Sequence, residues 1–162
     1  MFVVPPGRVR GPELSGFFYV LDEEVRILFV DDDPILREFA QVNLASVHAE
    51  IEVAGDGVEA LERLEKGAFD LVVTDLEMPR IDGFDLLGRM RADPRWERLP
   101  VIVATGRDDV EAIDRAFQAG ATAFVTKPLN WRLLTYQLKF MLRSARAESA
   151  LLRARQEAAP AA

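Results

Sequence analysis

The chain contains no cysteine, so it can form neither a disulfide nor a thiolate metal site. It has one histidine, His48, too few for an imidazole cluster. No apolar run approaches the roughly 20 residues of a membrane-spanning helix. The N-terminus lacks the basic-then-apolar pattern of a signal peptide. These absences give the expectation of a cytoplasmic chain with no membrane contact. An excess of positive charge is missing too. Lysine and arginine number 20 against 27 acidic residues, for a net charge of -7 and an isoelectric point near 4.8. That balance argues against direct nucleic-acid binding by the main domain and favours a surface that must tolerate or hold cations. What is present is 162 residues, 49% of them hydrophobic, enough for one domain with a proper core plus extensions.

The stretch around which the chain is organised is Leu71-Val-Val-Thr-Asp75-Leu-Glu77-Met-Pro79-Arg-Ile-Asp-Gly83. Leu71, Val72 and Val73 suit a central strand covered on both faces. Asp75 falls where that strand emerges, and Pro79 and Gly83 punctuate the loop after it. In open α/β sheets, ligands and chemistry collect at the carboxyl ends of strands.

Residues 1–24 carry Pro5, Pro6, Gly7, Gly11, Pro12 and Gly16, which break regular structure. Their apolar run Phe17–Leu21 reads as a leader that packs on the domain or a neighbour, or as a partner-binding arm. Val25–Val30 is the first clear strand, ending in Asp31-Asp-Asp33-Pro34, and Pro34 suits the first turn of a helix. That helix is expected over about 34–47, with Ile35, Leu36, Phe39, Val42 and Leu44 on or near its core face. Further strands are expected at 50–54, 70–74, 99–104 and 121–126. Helices are expected at 58–66, 83–92, 108–119 and from Asn130 to about Ala158. Five strands alternating with five helices predict a parallel sheet with helices on both faces. The last helix is long: its first half should pack on the sheet, and beyond about Met141 it reads as a solvated tail or, preferably, a coiled coil. The domain is therefore taken as 25–141, with 142–162 a helical extension.

Asp31 and Asp32 end the first strand, Asp75 the third, Thr105 the fourth and Lys127 the fifth. Three carboxylates in one crevice repel one another and need a cation or a proton. With no thiolate and no second imidazole, a hard oxygen-seeking ion is indicated, and Mg2+ is the natural choice. A carboxylate beside such an ion can attack phosphorus to give an acyl phosphate. The charged oxygens of the transferred group then need partners: the ion, the Lys127 ammonium, and the Thr105 hydroxyl with nearby backbone N–H groups.

The set Ile27–Pro34, Leu71–Gly83, Val101–Thr105 and Phe124-Val-Thr-Lys-Pro128 closely resembles the receiver domain of two-component response regulators, over about Val25 to Met141. The resemblance implies an α/β, flavodoxin-like (CheY-like) fold with a five-stranded parallel sheet in the order 2-1-3-4-5. It implies that Asp75 is the phosphoacceptor for a sensor histidine kinase or phosphotransfer protein. Asp31 and Asp32 would hold Mg2+ with Asp75, and the backbone carbonyl of Glu77 would complete the protein ligands. Thr105 and Lys127 would bind phosphoryl oxygens, Phe124 would be the switching aromatic, and Lys127-Pro128 would match a peptide bond that is often cis. Glu77 and Arg107 stand at positions that influence how long the phosphate survives. Two departures from the common pattern are Gly106, where alanine is frequent, and Phe124, where tyrosine is commoner.

The same resemblance implies a signal path. Phosphorylation would pull Thr105, turn Phe124 and remodel the face made by 108–119, 121–126 and the last helix, controlling homodimerisation or an output partner. The arginine-bearing last helix looks like the linkers that precede diguanylate cyclase or similar output domains. Two rivals remain. A haloacid-dehalogenase-like phosphatase also uses strand-end aspartates, Mg2+, a threonine and a lysine, but needs an acidic pair after the lysine, where only Glu148 and Glu157 occur. A degenerate receiver could serve as an unphosphorylated dimerisation scaffold.

Overall fold

The computed structural model describes residues 24–158. The Phe17–Leu21 run and the end of the chain past Ala158 lie outside the described residues. Five strands, β1 (Val25–Val30), β2 (Ala49–Ala54), β3 (Leu71–Thr74), β4 (Val101–Thr105) and β5 (Ala123–Thr126), alternate with α1 (Pro34–Leu44), α2 (Gly57–Lys66), α3 (Gly83–Ala92), α4 (Val110–Ala119) and α5 (Trp131–Ala158). The strands form one parallel sheet in the order β2-β1-β3-β4-β5. The alternation predicted the parallel sheet, and its strand order is the flavodoxin-like one that the resemblance implied.

The central strands are buried on both faces, and their alternate side chains feed two separate cores. Ile27, Phe29, Leu71, Val73 and Ile102 pack under α1 and α5, against Ala40, Leu44, Leu134 and Leu138. Leu28, Val30, Val72, Val101 and Val103 pack under α2, α3 and α4, against Ala60, Leu64, Leu87, Met90 and Ala116. The helices start where polar side chains cap free N–H groups. The carboxylates of Asp33, Asp56, Asp82 and Asp109 cap α1 to α4, and the Asn130 side chain accepts from Leu133 N–H at 3.0 Å to cap α5.

The core face of α1 is only partly the one expected: Leu36 and Leu44 face the core as predicted, but Ile35, Phe39 and Val42 do not. Leu36, Ala40 and Leu44 turn inward, whereas Ile35, Phe39 and Val42 are 62%, 51% and 73% exposed. The Asp33 cap and Pro34 at the first turn fix the phase of the helix. That phase aims the i, i+4, i+8 row at the sheet. The helix also stops at Leu44, short of Val47. In α5, Leu134, Leu138, Met141 and Leu142 are buried. Contact with the body continues further: Arg146 lies near Asp70 at 3.9 Å and Glu148 pairs with Arg98 at 2.9 Å.

One long-range tie had no sequence signal. Arg91, at the end of α3, donates to three backbone carbonyls, of Gly120 (3.0 Å), Trp96 (2.9 Å) and Leu99 (2.8 Å). Burial pushes its guanidinium below the usual arginine range, but with no acid needed it still serves three acceptors on two segments. Arg91→Ala is expected to cost about 2–4 kcal/mol, measured by urea unfolding.

Candidate functional site

Because all five strands are parallel, their carboxyl ends lie along one edge of the sheet. The hydrogen-bond ladder runs one residue past the ends of β1, β3 and β5 and so fixes the residue just beyond each. Asp31 N–H donates to Ala54 O (3.0 Å), Asp75 N–H to Val30 O (3.0 Å) and Lys127 N–H to Thr105 O (2.9 Å). These bonds bring Asp31, Asp75 and Lys127, separated by tens of residues in sequence, to one crevice.

The Lys127 ammonium bridges two carboxylates there, at 2.6 Å from Asp31 Oδ2 and 2.7 Å from Asp75 Oδ2. The other oxygen of each acid is held by backbone. Asp31 Oδ1 accepts from Asp33 N–H at 2.9 Å. Asp75 Oδ1 accepts from Leu76 N–H at 2.7 Å and from Glu77 N–H at 3.3 Å. Asp31 and Asp75 are buried, and Asp32 is exposed at the mouth. Burial raises the Asp31 carboxyl above the usual aspartate value, and the Lys127 bond offsets this only in part. Burial alone would lower Lys127, but its bonds to Asp31 and Asp75 outweigh it and hold the ammonium above the usual lysine value. Lys127 is therefore a cation throughout the neutral range.

One carboxylate oxygen from each of Asp31, Asp32 and Asp75 falls within 4.8 Å of the others. An all-oxygen anionic set, open to water through Asp32, suits Mg2+, which keeps several waters and takes one or two carboxylates. The donor chemistry of these three carboxylates therefore fits such an ion, which they would hold, and Glu77 follows Asp75 two residues on.

Thr105 is buried at the end of β4, and its Oγ1 accepts from Arg107 N–H at 3.4 Å. Phe124 is half-buried, packs against the core under α4 and meets Phe117 with ring centroids 6.5 Å apart. The Lys127-Pro128 peptide is cis. Arg107 is held mainly by Asp109, with Nε at 3.1 Å and Nη2 at 3.0 Å from its oxygens. Glu77 is a looser neighbour of Arg107, at 3.7 Å. The two thus form a weak pair beside the crevice, and the carboxylate of Asp109 competes for the arginine. Glu148, one of the two acids that a phosphatase would need after the lysine, is instead paired with Arg98 on the far side.

Sequence reasoning missed the residues that hold the Asp75 loop. Gly83 N–H donates to Leu76 O at 2.9 Å, closing the loop 77–82 at its base. A β-carbon on Gly83 would stand 2.1 Å from Asp75 O, so only glycine permits this closure. The glycine is plain in the sequence, but the atom it approaches is not.

A doubly wound parallel sheet with an acidic, lysine-bridged crevice at its strand ends defines a receiver-type signalling switch. The family profile for the response regulator receiver domain matches residues 27–139, and the chain belongs to that family. Over 120 residues it is 38% identical to chemotaxis protein CheY-3 of Vibrio cholerae, covering 74% of this chain and 92% of that protein. It is 35% identical over 105 residues to the gliding motility regulatory protein of Myxococcus xanthus, covering 65% of this chain but only 14% of that protein. The crystal structure of a response regulator receiver domain protein (CheY-like) from Methanospirillum hungatei JF-1 aligns with a TM-score of 0.72 at 30% identity, over 76% of this chain and 98% of the other. Receiver domains take their signal from histidine kinases or phosphotransfer proteins and generally bind Mg2+ at an acidic pocket. No helix among the described residues is long and apolar enough to cross a membrane.

Proposed function

We propose that Asp75 accepts a phosphoryl group from the phosphohistidine of a sensor histidine kinase or phosphotransfer protein. The observation that carries this reading is the Lys127 ammonium spanning Asp31 and Asp75 in a crevice that also holds Asp32. Asp75 Oδ2 attacks phosphorus, the oxygen–phosphorus bond forms as the nitrogen–phosphorus bond of the donor breaks, and the donor ring, protonated on its other nitrogen, keeps the bond pair and leaves as neutral imidazole. Leu76 and Glu77 N–H groups fix the rotamer of the attacking carboxylate. Mg2+, when bound, would neutralise the acids and the incoming oxygens. Lys127 supplies a second, permanent positive charge, and the Thr105 hydroxyl a donor at the neighbouring strand end.

Residues 25–141 would form the switching body and 142–162 a helical extension. Charge arriving at Asp75 draws on Thr105 and Phe124 and is read on the α4-β5-α5 face. Val110, Phe117, Leu133, Tyr136 and Phe140 are all exposed there, which supports a homodimer or an output partner on that face. The last helix suits a linker to a diguanylate-cyclase-type output. A phosphodonor of this kind works in the cytoplasm, the compartment assigned to the chain in this reading.

Intact mass after incubation with acetyl phosphate and Mg2+ tests the core of this reading. A gain of about 80 Da, one phosphoryl group, is expected, and a folded chain that gains nothing with magnesium present overturns it. The lifetime of that product tests the outer pair. Arg107 is bound to Asp109, so Glu77→Ala is expected to shorten or lengthen the lifetime by less than about threefold, whereas Arg107→Ala changes it more. Decay is followed by the loss of the added mass.

A further inference from the structure

The loop 77–82, which carries the Glu77 carbonyl and helps orient Asp75, is held at its outer end by a side chain. Arg80 sits there at φ 66° and is the non-glycine residue with positive φ among the described residues. A residue with a β-carbon is rarely found in that region, and glycine is the usual occupant. An arginine kept in a glycine conformation implies that the loop uses its side chain.

The side chain goes to Asp56. Arg80 Nε and Nη2 lie 2.9 Å and 2.8 Å from Asp56 Oδ2, while Asp56 Oδ1 caps α2 by accepting from Glu59 N–H at 2.8 Å. Both carboxylate oxygens are thus committed. Burial alone would raise the Asp56 carboxyl, but the bonds from Glu59 and Arg80 outweigh it and keep it below the usual aspartate value. Beside this contact, Gly57 N–H donates to Ile81 O at 3.1 Å. A β-carbon on Gly57 would stand 2.4 Å from that oxygen, so the first turn of α2 and the loop touch backbone to backbone. The loop is therefore fixed at its base by Gly83 and at its tip by the N-terminus of α2.

We propose that Arg80 is a positioning residue, anchored by Asp56, that holds the 77–82 loop so that the Asp75 carboxylate and the Glu77 carbonyl keep the orientation a divalent ion requires. The inference rests on the metal-assisted reading above. The guanidinium is more than half exposed. With its arginine end in solvent, though the Asp56 side chain is only 13% exposed, the pair contributes modestly to stability, and its use lies in where it puts the loop. Partners one step removed from a metal commonly change its affinity by tenfold or more when lost.

The test is a Mg2+ titration of the full chain, followed by amide chemical shifts of residues 76–83, with thermal unfolding in parallel. Arg80→Gly removes the guanidinium and accepts the positive φ. Asp56→Asn keeps one oxygen for the α2 cap and presents an amide to Arg80. Each is expected to weaken Mg2+ binding about tenfold, with the double variant no weaker than either single one, while the melting temperature without magnesium moves by less than about 4 °C. Arg89→Ala, which removes an arginine as exposed as Arg80 and breaks the Arg89–Asp85 pair at 3.4 Å, is expected to leave Mg2+ affinity unchanged. Wild-type affinity in both clamp variants overturns the proposal, as does an equal loss in Arg89→Ala. If the parent chain binds no Mg2+ and gains no mass, the metal-assisted reading falls and the clamp with it. If the parent does both and the variants match it, the clamp alone falls.

Discussion

Asp75→Asn is expected to abolish the mass gain from acetyl phosphate while leaving the fold intact. The amide oxygen of asparagine can still accept from Leu76 and Glu77 N–H, which hold Asp75 Oδ1 in the parent. What is lost is the anionic oxygen that faces Lys127 at 2.7 Å, the nucleophile of the proposed transfer. Lys127 keeps Asp31 at 2.6 Å as a partner, so no buried charge is left alone and the variant should unfold cooperatively. Intact mass reads the first outcome and far-ultraviolet circular dichroism the second. Labelling that persists in Asp75→Asn would move the acceptor to another acid of the crevice.

Gly83→Ala is expected to be the most damaging single-atom addition near the site. The new β-carbon would lie 2.1 Å from Asp75 O and 2.8 Å from Leu76 Cα. Both are backbone atoms of a buried strand end and cannot swing aside as a flexible side chain would. The loop has to move, which breaks the Gly83 N–H bond to Leu76 O and turns the N–H groups that orient Asp75. A cost of about 3 kcal/mol in urea unfolding is expected, together with loss of Mg2+ binding. Gly106→Ala gives the opposite result. Nothing lies within 4 Å of a β-carbon there and the φ is not positive, so the change is expected to be neutral or to stabilise by up to about 1 kcal/mol through the unfolded chain.

These two glycines show how much of the site was legible. Each stands in a recognisable motif, and in the sequence they look alike. Their difference is a distance to backbone atoms of a neighbouring segment. Asp31, Asp32, Asp75, Thr105 and Lys127 could be picked out because the rule that strand ends meet at one edge needs only the order of the elements. The phase of α1 could not. Leu36 and Leu44 were legible as core, but Ile35, Phe39 and Val42 read as part of the same stripe because they are apolar, and Ala40 did not stand out. The local pattern cannot choose between two apolar rows on one helix, and the cap at Asp33 with the position of the sheet chose for it. The Arg80–Asp56 clamp and the Arg91 tie were silent for a related reason. Charged surface residues carry no periodic signal. Asp56 lies 24 residues from Arg80, and the Arg91 bonds reach three separate carbonyls.

By itself the order of residues determined the alternation of strands and helices, the parallel sheet that this alternation requires, and the set of acids and the lysine at the strand ends. These depend on short-range periodicity and on where each apolar run stops. Only the folded chain decided which row of α1 is buried, that Lys127 spans two particular carboxylates, and that the Asp75 loop is pinned at both ends. Those outcomes are contacts between segments far apart in sequence, set by packing that no single segment contains.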